Sequence, residues 1–390
     1  MLFARKHWGL LSLTCFPLWC SAADYALSST PSLVLAQNDA TKQRGVTTVS
    51  TSDAMDHSQH TGHDMSQDAH VHHGHGAGMW MFEYRFMRMY QEGLQQGTES
   101  ISPEDFLAQS AAGRWVNADG GEIMAAGTDM TMDMHMFMAM YSFTDKLTFM
   151  VMANYLANEM NMIMTPMEMG DGAGTGDGMD MGGDFMPMAS HYDTMYMESA
   201  GLGDTQLAMM YKLDNYLLYN PLLTLGVNLP TGSIDEASET GVVLPYEMQL
   251  GSGSYDLLAA FGISNKWDDW QAGTEASYLW RTCDNDQGYR LGDRWTMEGF
   301  VKYQLRTKTT LRTAVKYADW GKIQGRDKRL SDNPDYYGGM RADLWLGVSQ
   351  ELAGGFTAEA HYSVPLHQKL NGVQMPVEWQ MQLALGWMWM

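Results

Sequence analysis

The chain has 390 residues, ample for one large domain, and a formal net charge of −22. That charge excludes a nucleic-acid partner, which needs a basic surface, and suits a molecule that gathers cations through its long-range field. The 36 methionines far exceed ordinary usage, while 40 glycines and 19 tyrosines suit a β protein with many turns.

Residues 1–23 read as a secretory signal peptide. Arg5 and Lys6 form the basic start, Leu10 to Trp19 the apolar run, and Ser21-Ala22-Ala23 a small-residue cleavage site. Trp19 before Cys20 departs from a lipoprotein signal. Cys15 and Cys20 fall in this leader, and Cys283 lies in the remainder. Beyond the leader there is no apolar run of about 18 residues, the length of a transmembrane helix. An exported chain can still cross a membrane as a closed barrel.

Residues 24–78 are polar and lack an apolar period, so a disordered segment is expected there. It carries His57, His60, His63, Met65, His70, His72, His73 and His75, seven of the twelve histidines of the chain. Imidazole is a ligand for Cu(II), zinc and nickel, and thioether for Cu(I), and short His-rich tracts are a metal-binding composition. The tract resembles the Met/His-rich N-termini of periplasmic and outer-membrane copper-resistance proteins.

From residue 79 to 390 the apolar pattern has a period of two, which puts successive side chains on opposite faces of a strand. The first segment, Met79 to Tyr90, sets Trp80, Phe82, Tyr84 and Phe86 against Met79, Met81, Glu83, Arg85, Met87 and Met89. After a polar stretch (91–129) comes a hairpin with methionine at Met130, Met132, Met134, Met136, Met138 and Met140. Its second arm carries Leu147, Phe149 and Val151, with Met150 and Met152 on the other parity. Residues 159–198 read as a second long loop, rich in Met, Asp and Gly.

Alternation resumes near Thr205, Leu223, Leu257, Trp270, Trp295, Leu311, Ala342, Phe356 and Trp379. The total is about twelve strands, with short turns alternating with long loops. The expected fold class is therefore all-β, an outer-membrane antiparallel β-barrel, apolar outside and polar inside, with short periplasmic turns and long Met-rich outer loops. The histidine-rich segment then hangs in the periplasm of a Gram-negative cell. The aromatic last strand resembles the signal by which such barrels engage the insertion machinery.

Three motifs carry a family resemblance. They are Gly201-Leu202-Gly203-Asp204-Thr205-Gln206-Leu207, Leu229-Pro230-Thr231-Gly232 and Gly251-Ser252-Gly253-Ser254-Tyr255-Asp256. In this order they resemble the outer-membrane transporter-like family named for phenol meta-pathway degradation, from about Met79 to the C-terminus. The resemblance implies a barrel that moves small molecules and supplies no catalytic residues.

If the aromatic parity faces lipid, the interior is lined by Met79, Met81, Met87, Met89, Met134, Met136, Met138, Met140, Met150, Met152 and Met210. The charges Glu83, Arg85, Asp204, Glu275, Arg281, Glu298, Lys302, Arg312, Lys316, Arg341, Asp343 and Glu359 share that parity and would form ion pairs that fill or narrow the pore. In the second loop, Met160, Met162, Met164, Met167 and Met169 are spaced to bring several thioethers to one soft ion.

No nucleophile triad, phosphate loop or paired catalytic carboxylates appear, so no enzyme is expected. The main expectation is copper or silver handling, with those ions as possible ligands and no required cofactor. The alternative is a channel for small aromatic or hydrophobic compounds; a second alternative is a closed structural or binding barrel. Expected partners are outer-membrane lipid, metal ions or small hydrophobic solutes, and the barrel-insertion machinery.

Overall fold

The computed structural model describes residues 77–165, 192–213 and 220–389. The expected leader, the histidine-rich tract and the centre of the Met-rich loop, with Met167 and Met169, lie outside the described residues.

Twelve antiparallel strands pair in chain order and close on themselves. They are β1 (Trp80–Glu92), β2 (Ala125–Ser142), β3 (Leu147–Met164), a two-segment β4 (Asp193–Leu202 and Thr205–Lys212), β5 (Leu222–Leu229) and β6 (Asp256–Trp267). The circle continues with β7 (Trp270–Arg281), β8 (Arg294–Arg306), β9 (Thr309–Trp320), β10 (Gly339–Glu351), β11 (Phe356–Gln374) and β12 (Val377–Trp389). Closure comes from β1 against β12, with Trp80 opposite Trp389 and Tyr90 opposite Trp379. Closure satisfies the ladders and removes sheet edges, the condition for a sheet to sit in lipid.

The pleat sorts the two faces. On β2 the six alternating methionines from Met130 to Met140 are at most 5 % exposed, whereas Phe137 between them is 55 % exposed. Outward aromatics gather toward both ends of the strands. Trp80 packs on Tyr141 and Trp270 on Tyr303 at the short-turn end, and Trp295 packs on Tyr317 near the other. Such belts mark the two interfaces of a membrane-spanning barrel.

Two boundaries differ from the sequence reading. The expected loop 159–198 is strand at both its ends: β3 runs to Met164 and the first segment of β4 starts at Asp193. Met160, Met162 and Met164 therefore stand on a strand, not in a loop. The pattern hides this because Glu159, Asn161 and Glu198 occupy outward positions, where polar residues fit once a strand has climbed past the apolar band. The stretch 91–129 is likewise not a plain loop. It holds the hairpin Leu94–Gly97 and Glu99–Ile101 and the helix α1 (Pro103–Ala111). Ser102 caps that helix through its side chain, accepting from the Asp105 amide at 3.0 Å, and Pro103 fits its first turn. Phe106 and Leu107 pack with Leu94, Trp115, Ala126 and Ile163 over the long-loop mouth.

Candidate functional site

The barrel interior has two chemically distinct sides. β1 to β4 contribute methionine. Met87, Met130 and Met134 are 0 % exposed, and Met81, Met89, Met132, Met136, Met138, Met140, Met150, Met152, Met160 and Met210 are also buried, all in one cluster. Met79, at the rim just before β1, is half-buried. β6 to β11 contribute ions. Arg281 pairs with Asp256 and Arg312 with Glu298; Arg341 Nε donates to Asp343 at 2.9 Å, and His361 lies 3.4 Å from Glu359. Glu298 stands opposite Lys316, and Lys316 opposite Asp343, so opposite charges face one another across these three strands. With Arg281 and Lys302 buried, side chains fill the interior rather than line an open bore.

Strand register turns the methionines into rows. Met81, Met140 and Met150 lie side by side at the short-turn end; Met138 faces Met152; Met87 faces Met134; Met89 faces Met132; and Met130, Met160 and Met197 form a row toward the long-loop end. Gln380 Nε2 donates to Met89 Sδ at 3.1 Å. One buried ion pair interrupts this side, Arg85 with Glu83 at 2.5 Å, beside Met136 and Met138.

The three sequence motifs meet at one clasp. β4 breaks at Gly203-Asp204, and there the Asp204 carboxylate accepts from the amides of Gly232 at 3.0 Å and Ser252 at 2.6 Å. Thr231 Oγ1 donates to the Gly203 carbonyl at 2.9 Å and accepts from the Thr205 amide at 2.8 Å. Asp256 accepts from the hydroxyls of Ser252 and Ser254 as well as from Arg281. Gly232 and Gly251 cross backbone to backbone, and a Cβ on Gly251 would collide with the Gly232 carbonyl. Only glycine allows that approach.

The clasp holds the 230–255 loop inside the barrel. Leu244, Met248 and Leu250 of that loop are buried in the methionine cluster, and Ser199 Oγ donates to the Met248 carbonyl at 2.6 Å. The loop occupies the space beside the upper segment of β4, which among the described strands is laddered only to β3.

Above this loop lies a vestibule of about 350 Å³. Met160, Met162 and Met375 form part of its lining, together with Glu247 and Asp332. Tyr337 donates to Glu247 Oε2 at 2.9 Å. Burial, reinforced by the charge of Asp332, pushes the Glu247 carboxyl up to about 7; burial likewise pushes Asp332 up to about 6. The Tyr337 hydroxyl also faces Asp332 and offsets part of that rise.

Of the metal candidates named from sequence, the structure brings Met160 and Met162 together with Met130, Met195, Met197 and Met375. Met164, at the end of β3, is half-buried. His57, His60, His63, Met65, His70, His72, His73, His75, Met167 and Met169 lie outside the described residues. No group of three or more His, Cys, Asp or Glu arranged to hold a metal occurs among the described residues. Sequence reasoning missed Met375, and it missed the vestibule acids.

An outer membrane channel from Pseudomonas putida F1 shares this architecture, 12 % identical, with a TM-score of 0.52 over 80 % of this chain and 96 % of that one. A Pseudomonas aeruginosa FadL homologue (10 % identity, TM-score 0.38, 80 % and 90 % covered) and the P. putida toluene transporter TodX (12 %, 0.37, 80 % and 89 %) overlay more loosely. At these identities the likeness is one of fold. No curated protein matches the chain. The family model described as MetA-pathway of phenol degradation matches residues 112–341, a span that includes all three clasp motifs and more than half of the chain. The chain belongs to that family, and the motifs that suggested it are the parts of one clasp.

Proposed function

We propose that the protein is an outer-membrane channel for small, uncharged apolar or aromatic compounds, with the methionine side of the barrel as their path. The observation that carries this reading is the run of buried methionine rows from the vestibule down to Met81, Met140 and Met150 at the short-turn end. Methionine is flexible and polarizable, so it can repack around solutes of varied shape and meets aromatic rings favourably. The apolar outer face and aromatic belts support placement in a membrane, with short turns toward the periplasm as is usual for such barrels. The phenol-degradation description of the family is in keeping with an aromatic cargo.

The interior is filled, so passage requires the 230–255 loop to withdraw and the methionines to rotate. Carriage of copper or silver through the whole barrel is the weaker reading. The same sulfurs would serve it, but the buried Arg85–Glu83 ion pair interrupts the thioether rows at mid-height.

Uptake of a labelled monoaromatic compound tests the reading. Cells that express the protein should accumulate it several-fold faster than vector controls. Met134→Trp, which overfills a row at mid-barrel, should return uptake to background while the barrel keeps its heat-dependent gel mobility. Uptake no faster than the control refutes the reading.

A further inference from the structure

Two neighbouring rows of thioethers meet at the vestibule. In the first, Met130 on β2, Met160 on β3 and Met197 on β4 are direct partners across the ladder. In the second, Met162 pairs with Met195 on one side and with Gly127 on the other. Gly127 leaves its place on the face empty, and the Met375 side chain fills it from the β11–β12 connection: a Cβ at 127 would lie 2.9 Å from Met375 Sδ. The second row is thus Met375, Met162, Met195. Partners across a ladder have Cβ atoms about 5 Å apart, and the methionine side chain is flexible enough to close that gap. Three sulfurs of either row can therefore converge on one small ion.

The charge around these rows points the same way. Met160, Met162 and Met375 line a cavity whose described lining includes Glu122, Glu247 and Asp332 and no Lys or Arg. An uncharged solute has no use for half-buried carboxylates without counter-charges, and Glu247 and Asp332 stand half-buried with none in the lining. A hard divalent ion would require oxygen ligands in number, whereas the convergent donors here are sulfur. Thioethers select soft ions of low charge.

We propose that the long-loop mouth of the barrel binds one soft monovalent metal cation, Cu(I) or Ag(I), through the two methionine rows, with Glu247 and Asp332 supplying a compensating negative field. This site goes beyond the channel function, although it shares the vestibule where the proposed path begins. It lies above the Arg85–Glu83 pair that interrupts the methionine rows, so it captures the ion at the mouth and does not conduct it.

Silver titration of the full-length protein in detergent tests this, because Ag(I) is stable in air. The triple variant Met160→Leu, Met162→Leu, Met375→Leu keeps apolar volume and removes the sulfurs. Wild type should bind one more equivalent of Ag(I) than this variant, and X-ray absorption at the silver edge should show sulfur neighbours in the excess population. Equal stoichiometry in the two proteins overturns the site, whatever the histidine-rich tract contributes to both. Should the triple variant fail to fold, Gly127→Ala, which displaces only the end of the Met375 side chain, should weaken the extra equivalent about tenfold. An unchanged affinity there overturns the site as well. If benzylammonium displaces bound Ag(I) equally from wild type and from the triple variant, the pocket is one for organic cations and the metal site is refuted.

Discussion

The two sides of the barrel interior are equally buried and oppositely built. Around β6 to β11 the fill is ionic: Arg281 with Asp256, Arg312 with Glu298, Arg341 with Asp343. Such a pair depends on its geometry, and removing one partner strands the other charge out of water. Around β1 to β4 the fill is mostly thioether, with few directional bonds to lose and many rotamers of similar energy. One wall therefore fixes the shape of the barrel while the other can yield. A barrel that must stay closed yet admit cargo needs both.

Cutting one ion pair should have the largest effect. Arg281→Met leaves Asp256 buried without its guanidinium, and a loss of about 3–5 kcal/mol is expected in denaturant unfolding of the barrel. A loss below about 1 kcal/mol, well short of that penalty, would mean that the ionic wall is not what fixes the shape.

The clasp joins the two walls, and its loss should be smaller and more specific. Asp204→Ala removes the acceptor of the Gly232 and Ser252 amides. A cost of about 1–3 kcal/mol follows for the stranded buried donors. Its signature is functional: release of the 230–255 loop should convert a silent barrel into one that passes current in planar bilayers. A variant as silent as wild type would show that the loop is held by its apolar contacts alone.

On the yielding wall, Met134→Leu conserves volume and should cost less than about 1.5 kcal/mol although the residue is fully buried. A penalty matching that of Arg281→Met would show the methionines to be as rigidly fitted as the ions, and would remove the basis for a yielding path.

Much of this contrast is legible in the sequence because a strand has a period of two. The alternation of Met130 to Met140 assigns a whole face at once, and the same parity gathers Glu275, Arg281, Glu298 and Lys302 on the inner side of other strands. What the alternation cannot supply is the third dimension above the membrane. Met195 and Met197 continue the methionine side, but they follow a Gly- and Asp-rich stretch that reads as loop. Met375 sits in a connection, and only the empty place at Gly127 reveals where its sulfur goes. The clasp shows the same limit. Its motifs are visible as a family signature, yet nothing in the pattern says that Asp204 reaches amides 28 and 48 residues away. Glu247 and Asp332 look like solvated loop acids until folding draws them half out of water.

Those two acids give the least of these effects and the one most particular to the mouth. Glu247 has a folded pKa of about 7 against an ordinary 4.5, and Asp332 about 6 against 3.8, both raised chiefly by burial. The folded protein therefore holds more protons than the unfolded chain between these values, and stability falls as pH rises through that window. The contribution is complete below about pH 4 and gone above about pH 7. The thermal midpoint of the barrel should drop by a few degrees between about pH 5 and about pH 7.5 on this account. Glu247→Gln keeps the shape of the acceptor facing Tyr337 and removes the ionisation, so it should flatten most of that slope and raise the midpoint at neutral pH. A slope as steep in the variant as in wild type would assign the pH dependence to other groups. Because the acids belong to the 230–255 and 321–338 loops, the same slope should appear in the current passed by Asp204→Ala, smaller at low pH, where neutral carboxyls let the two loops pack together. Wild type, still clasped, should stay silent across the range.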